Sequence, residues 1–165
     1  MKLEALIKEE LELVRGWRNE EMQFLRTPYF LTKEMQEDFY RDVVCNRQSE
    51  HRYFSVRDDS KFIGMVGLTT IEWENRTAEV SIILNPKYRG KGYGQKSVEL
   101  LLDHAFNNMG LYTVWGEVYG CGNIGFWDKM VDRLSGYSTH LPNRKKYNGV
   151  LWYSLWFQFA NKGKK

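Results

Sequence analysis

Asn85-Pro86-Lys87-Tyr88-Arg89-Gly90-Lys91-Gly92-Tyr93-Gly94-Gln95 decides the reading of this chain. The segment joins a strand-like run, Ala78-Glu79-Val80-Ser81-Ile82-Ile83-Leu84, directly to an amphipathic helix. In that helix Val98, Leu101, Leu102, Ala105, Phe106 and Met109 share one face, and Gly110 supplies the stop. Three glycines at alternate positions strip side chains from the junction, so several backbone N–H groups can converge. The helix adds its free N-terminal N–H groups and the positive end of its dipole. Lys87, Arg89, Lys91 and Lys96 reinforce the sign. An anion site follows, most naturally for a diphosphate. A P-loop requires G-x-x-x-x-G-K-[ST], but Gln95 precedes Lys96-Ser97 where the second Gly belongs. A dinucleotide fingerprint requires G-x-G-x-x-G, and Gly90-Lys91-Gly92-Tyr93-Gly94-Gln95 again ends on Gln95.

Upstream, Tyr53 to Arg57, Lys61 to Ile71 and Thr77 to Leu84 read as three strands joined by the turns Asp58-Asp59-Ser60 and Trp73 to Arg76. Such short connections make them antiparallel neighbours. Before them come a short strand at 2–8 and a helix at 9–20 with Leu11, Val14 and Arg18 on one face. After a loop through Thr27-Pro28, Thr32 caps a second helix to about Asn46, with Met35, Phe39 and Val43 as its buried stripe. Downstream follow a strand from Leu111 to Val118, a helix from Asn123 to about Leu134, and a strand from Tyr137 to Leu141 that Pro142 would end. Val150 to Phe159 is a last strand after the turn Asn148-Gly149. The order predicts an α/β fold: a single mixed, mostly antiparallel central sheet of about seven strands with helices on both faces.

At 165 residues, with 42% hydrophobic and 27% charged residues, the chain is expected to form one domain over 1–165, with a basic tail at 161–165. No apolar run approaches the ~20 residues of a membrane span. Acids stand where a signal peptide would be apolar, so a cytoplasmic location is the default. Cys45 and Cys121 match no metal spacing and no disulfide framework. The net charge of +3 is uneven. From Arg133 to Lys165 no acid occurs, and seven cations include the cluster Arg144-Lys145-Lys146, which fits either an anionic ligand or a hairpin turn.

The pattern R-x-x-G-x-G, here Arg89, Gly92 and Gly94, resembles the acetyl-CoA loop of the GNAT N-acetyltransferase superfamily. The strand before the loop, and Asn123 followed by Phe126-Trp127-Asp128-Lys129, extend the resemblance over nearly the whole chain. The resemblance implies acetyl-CoA as cosubstrate and no metal. Arg89, Gly90, Lys91, Gly92, Tyr93, Gly94 and Gln95 would hold its diphosphate. Ile82, Ile83 and Leu84 would offer the pantetheine arm backbone groups freed where the fourth strand splays from the fifth, and one N–H would polarise the thioester carbonyl. Asn123 and Lys129 would contact the cofactor, and Asn123 also reads as a helix N-cap. Trp127 stands where family members often carry a Tyr that protonates the departing thiolate, and an indole has no useful acidic proton. Tyr119 or a water is then the fallback donor. Glu79 is the first choice for the base, with an exposed strand carboxylate as the alternative reading. His51, His104 and His140 are weaker rivals.

In this family the first two helices and their loop wall the acceptor pocket. Trp17-Arg18-Asn19 resembles two branches, those acetylating nucleotide-linked amino sugars and those acetylating protein N-termini such as ribosomal proteins. Arg18 and Arg26 with Trp17, Tyr29 and Phe30 suit a nucleotide diphosphate and base. A small-molecule amine of that kind is the expected acceptor, ahead of a protein N-terminus. Glu9, Glu10, Glu12, Glu20 and Glu21 offer the opposite case, a cationic acceptor such as a polyamine or aminoglycoside. A non-catalytic acyl-CoA-binding module is the competing class. A nucleic acid or a membrane is not an expected partner, and the resemblance allows a homodimer.

Overall fold

The computed structural model describes residues 1–27 and 29–163, so Pro28 and the last two lysines of the basic tail lie outside the described residues. Seven strands form one sheet: β1 (Lys2–Ala5), β2 (Arg52–Asp58), β3 (Lys61–Glu72), β4 (Thr77–Leu84), β5 (Thr113–Tyr119), β6 (Tyr137–Tyr147) and β7 (Val150–Ala160). Their order is β1-β2-β3-β4-β5-β7-β6, antiparallel throughout except for the parallel pair β4–β5. Four helices cover it: α1 (Lys8–Glu20), α2 (Lys33–Phe39), α3 (Tyr93–Asp103) and α4 (Ile124–Leu134). Helices α2 and α3 each run on into a wider π turn, at Tyr40–Val44 and His104–Asn108. Among the described residues no helix is long and apolar enough to cross a membrane.

The helices sit two on each face. Val98, Leu101, Leu102 and Ala105 of α3 and its π turn join Trp127, Met130 and Val131 of α4 over one side of the sheet. Leu11 and Val14 of α1 meet Met65 and Ile83 on the other side, with Phe39, Tyr40 and Val44 alongside. Fully buried leucines such as Leu101 and Leu111 each contribute roughly 1.5–3 kcal/mol relative to exposure. Thr32 caps α2 by accepting from the Met35 N–H at 3.2 Å. Glu10 is buried and closes the start of α1, accepting from the Ile7 N–H at 3.3 Å, from the Ser55 hydroxyl and from Arg57.

Two elements differ from the sequence reading. Met35 is exposed, and Gln36 is the buried residue of the first turn of α2. The π turn adds a residue to the last turn, which moves the buried stripe onto Phe39, Tyr40 and Val44. The strand expected to end at Pro142 continues to Tyr147. It lies at the sheet edge, where a missing N–H breaks no inner ladder, and its register shifts between Leu141 and Lys145.

The sheet opens in its middle. Strands β4 and β5 pair only from Thr77–Glu79 to Thr113–Trp115. Beyond that, β4 stays with β3, through Ile82↔Val66, Ile83↔Met65 and Leu84↔Gly64. Strand β5 follows β7 to Tyr119↔Ser154. Each strand keeps its outer ladder, so only the two facing inner edges carry free N–H and C=O groups. Gly116 lets β5 lie against β7, since a Cβ there would meet the Phe157 ring at 2.5 Å.

Candidate active site

The opening between β4 and β5 is a cleft of about 1100 Å³. Glycine-rich backbone lies at one end and acidic side chains at the other. At the glycine end, Gly90 and Gly92 adopt φ of +70° and +82°, values an L side chain rarely takes. A Cβ at either would meet nothing within 4 Å, so the space above them is open. Gly92 immediately precedes α3, whose first-turn N–H groups have no partner within the helix, and Gly92, Gly94 and Gln95 line the same opening. Ile82, Ile83, Leu84, Gly94, Gln95, Asn123 and Lys129 also line the cleft.

The loop cations are mostly turned away from this opening. Arg89 lines the cleft, but its Nε and Nη2 donate to the Leu84 carbonyl at 3.3 and 2.9 Å, and its Nη1 is paired with Glu21. Lys91 Nζ donates to the Lys87 carbonyl at 2.9 Å. The Tyr93 hydroxyl donates to Asp58 at 3.0 Å, and neither Lys91 nor Tyr93 lines the cleft. The anion capacity of the loop therefore rests on backbone N–H groups more than on side-chain charge.

At the other end Glu79 of β4 and Glu117 of β5 lie on the same sheet face. Glu79 pairs across the sheet with Trp115, and Glu117 is two residues further along β5. Arg26, in the segment after α1, grips Glu79 with both guanidinium arms, at 3.0 and 2.5 Å, and lies 3.7 Å from Glu117. Glu117 also accepts from Arg144 at 2.8 and 3.2 Å and from the Ser154 hydroxyl at 2.6 Å. Arg144 is the main cause that holds the Glu117 carboxyl below its usual range, with Ser154 and Arg26 adding to it against the cost of burial. Burial works against the charge of Arg26, but Glu79, then Tyr119 and Glu117, outweigh it and raise the guanidinium further. Lys145 Nζ donates to the carbonyls of Gln23 and Leu25 at 2.7 and 2.6 Å and sits 4.9 Å over the Tyr119 ring.

Most of the residues expected at a site converge here, among them Glu79, Tyr119, Asn123, Arg18 and Arg26. Asn123 accepts from the Phe126 N–H at 3.3 Å and so caps α4. Three expected acceptor residues do not line the cleft. Trp17 is half-buried and stacks on Phe62 at 5.7 Å against the core beneath α1, because its helix turns that face to the sheet. Tyr29 and Phe30 are exposed outside the cleft. Arg18 donates to Thr27 at 3.1 Å. Trp127 is buried and stacks on Phe157 at 4.3 Å. Tyr53 also lines the cleft, but burial pushes its phenol up to about 12, which makes it a poor proton donor. The cluster Arg144-Lys145-Lys146 lies in β6, not on the turn, and its first two members bind a carboxylate and backbone carbonyls of this chain. Sequence reasoning missed Glu117. Alternation along β5 carried the signal, since Glu117 points the same way as Tyr119.

A mixed seven-stranded sheet that splits beside a glycine loop feeding a helix is the GNAT, or acyl-CoA N-acyltransferase, fold. The family model described as an acetyltransferase (GNAT) domain matches residues 1–120, and this chain belongs to that family. A spermidine N(1)-acetyltransferase from Escherichia coli is 33% identical over 118 residues, which cover 70% of this chain and 62% of that protein. The match thus spans less than two thirds of that relative's length. Two solved structures from Vibrio cholerae share the fold. A spermidine N-acetyltransferase in complex with CoA and spermine has a TM-score of 0.85 and 22% identity, covering 96% of this chain and 94% of that one. A dodecameric form of spermidine N-acetyltransferase has a TM-score of 0.82 and 21% identity, covering 96% and 92%.

Proposed function

We propose that this protein is an acetyl-CoA-dependent N-acetyltransferase whose acceptor is the primary amine of a small cationic molecule of the polyamine kind. The observation that carries the reading is the pair Glu79 and Glu117 at the acceptor end of a cleft whose other end is backbone-lined. In this reading the diphosphate of acetyl-CoA binds the N–H groups from Gly90 to Gln95 and the start of α3. The pantetheine arm runs along the open edge of β4 at Ile82 to Leu84, and an N–H there polarises the thioester carbonyl. Asn123 and Lys129 flank the arm. The amine nitrogen attacks the carbonyl carbon, the C–S bond breaks, and the ammonium proton passes to Glu79 directly or through water. Tyr119 is the phenol available to protonate the leaving thiolate. A thiol with a pKa near ~8.5 also leaves tolerably without help.

The nucleotide-linked amino sugar expected from Trp17, Arg18 and Arg26 loses its support here. That acceptor needs free arginines for its diphosphate, and Arg26 is bound to Glu79 while Trp17 belongs to the core. A polyamine instead needs carboxylates, and relatives named for spermidine share the family. A homodimer stays part of the reading, since Tyr137, Val150, Leu151 and Tyr153 leave apolar surface exposed on the β6–β7 edge.

The test is an acceptor screen with thiol release as readout and mass analysis of the product. Spermidine and spermine should be turned over, and nucleotide-linked amino sugars and short peptides should not. Turnover of nucleotide sugars or peptides with none of polyamines overturns the acceptor assignment. Absence of thiol release with every amine, despite acetyl-CoA binding, leaves a non-catalytic acyl-CoA-binding module in its place.

A further inference from the structure

Glu79 and Glu117 place two largely buried carboxylates in one corner of the cleft. Like charges so placed need a cation between them. In this structure the cation is internal: a single nitrogen of Arg26 approaches both carboxylates, at 2.5 and 3.7 Å. Both oxygens of Glu79 are engaged by the two arms of Arg26, so the guanidinium stands where an incoming ammonium would pair with that carboxylate. The two partners differ in setting and exposure. Glu79 and Glu117 stand on strands with side chains 13% and 7% exposed, while Arg26 extends from an irregular segment and is 46% exposed. Glu117 is further fixed by Arg144 and Ser154. The backbone beside Arg26 is fixed as well, because Lys145 binds the carbonyls of Gln23 and Leu25. The one part free to leave is the Arg26 side chain, by rotation into solvent.

We infer that Arg26 is a specificity-determining residue that fills the acceptor's cation seat in the free protein and is displaced by the ammonium group of the substrate. The inference rests on the cationic-acceptor reading above. Exchange of one cation for another keeps the two carboxylates neutralised, so it admits amines and disfavours uncharged or anionic acceptors. It also frees Glu79 to take the proton at the moment an amine arrives. The acceptor's apparent affinity is lowered by the fraction of time that Arg26 holds the seat. Removing Arg26 therefore tightens acceptor binding, whereas an arginine that bound an anionic acceptor would do the reverse when removed.

The experiment compares wild type, Arg26→Ala and Glu117→Gln with spermidine as acceptor. Arg26→Ala should lower the KM for spermidine by roughly 3- to 10-fold and leave the KM for acetyl-CoA unchanged. Glu117→Gln should raise the KM for spermidine, again with acetyl-CoA unaffected. A spermidine KM that rises or stays constant in Arg26→Ala overturns the inference. Should the alanine variant fail to fold, Arg26→Gln keeps much of the bulk and is expected to show the same fall. Calorimetric binding of spermidine in the presence of CoA separates this inference from the acceptor assignment. If wild type turns over no polyamine, the acceptor assignment fails alone. The seat is then read directly: tighter spermidine binding by Arg26→Ala supports it, and equal or weaker binding overturns it.

Discussion

Arg89 and Gly92 belong to the same short motif and do different work. The guanidinium of Arg89 is spent on the Leu84 carbonyl and Glu21, so it ties the loop to the end of β4. Gly92 leaves a bare, left-handed turn with φ of +82° directly before α3. The Cβ of a valine there meets no neighbouring atom within 4 Å, so its main cost to the fold is the backbone conformation, about 1–2 kcal/mol. Its side chain would stand over the N–H groups that face the opening. Loss of two such hydrogen bonds, each worth about 1–1.5 kcal/mol, weakens CoA binding roughly a hundredfold. Calorimetry with CoA beside a thermal melt checks this. A Gly92→Val protein that melts cooperatively and binds CoA as wild type does would remove the diphosphate from this loop.

At the scale of elements, the β6–β7 hairpin reaches across to the segment after α1. The register shift between Leu141 and Lys145 turns β6, and Asn143 takes a φ of +54° within it. The same bulge delivers Arg144 to Glu117 and Lys145 to the Gln23 and Leu25 carbonyls. An edge strand thereby positions the acidic end of the cleft, although none of its residues line it. Lys145→Ala should speed hydrogen exchange in residues 22–27 and raise the KM for the acceptor a few-fold, with the KM for acetyl-CoA unchanged. Unaltered exchange there would mean that α1 and Thr27 hold the segment without help from the hairpin.

Across the whole molecule, Glu117 ties together β5, β6, β7 and the segment after α1 through Arg144, Ser154 and Arg26. Arg144 above all lowers its carboxyl in the folded state. A carboxyl lowered on folding stabilises the protein above its unfolded value, and that contribution is lost as pH falls through the folded value. Glu117→Gln should therefore be less stable than wild type at neutral pH, by roughly 1.5–3 kcal/mol for hydrogen bonds to a charged group. The gap should narrow as pH falls below the ordinary carboxylate range. Urea unfolding of both proteins at neutral and at acidic pH measures it. A gap that persists undiminished in acid would show that shape, and not charge, makes Glu117 matter.

The sequence by itself determined most of the elements and the glycine-loop end of the cleft. Short turns between Tyr53 and Leu84 dictate antiparallel pairing, and alternate glycines before an amphipathic face dictate a loop that meets a helix start. These are local rules, acting over a few residues. The acidic end was decided by tertiary structure. Arg26 and Glu79 are 53 positions apart, and Lys145 and Gln23 are 122 apart, so no local pattern marks either contact. Trp17 and Arg26 read alike as acceptor residues in the sequence, yet packing sends one to the core and the other to a carboxylate. Charge reads from sequence only as a sum. Whether a given arginine is free for a ligand or already neutralised depends on which strands the fold brings beside it.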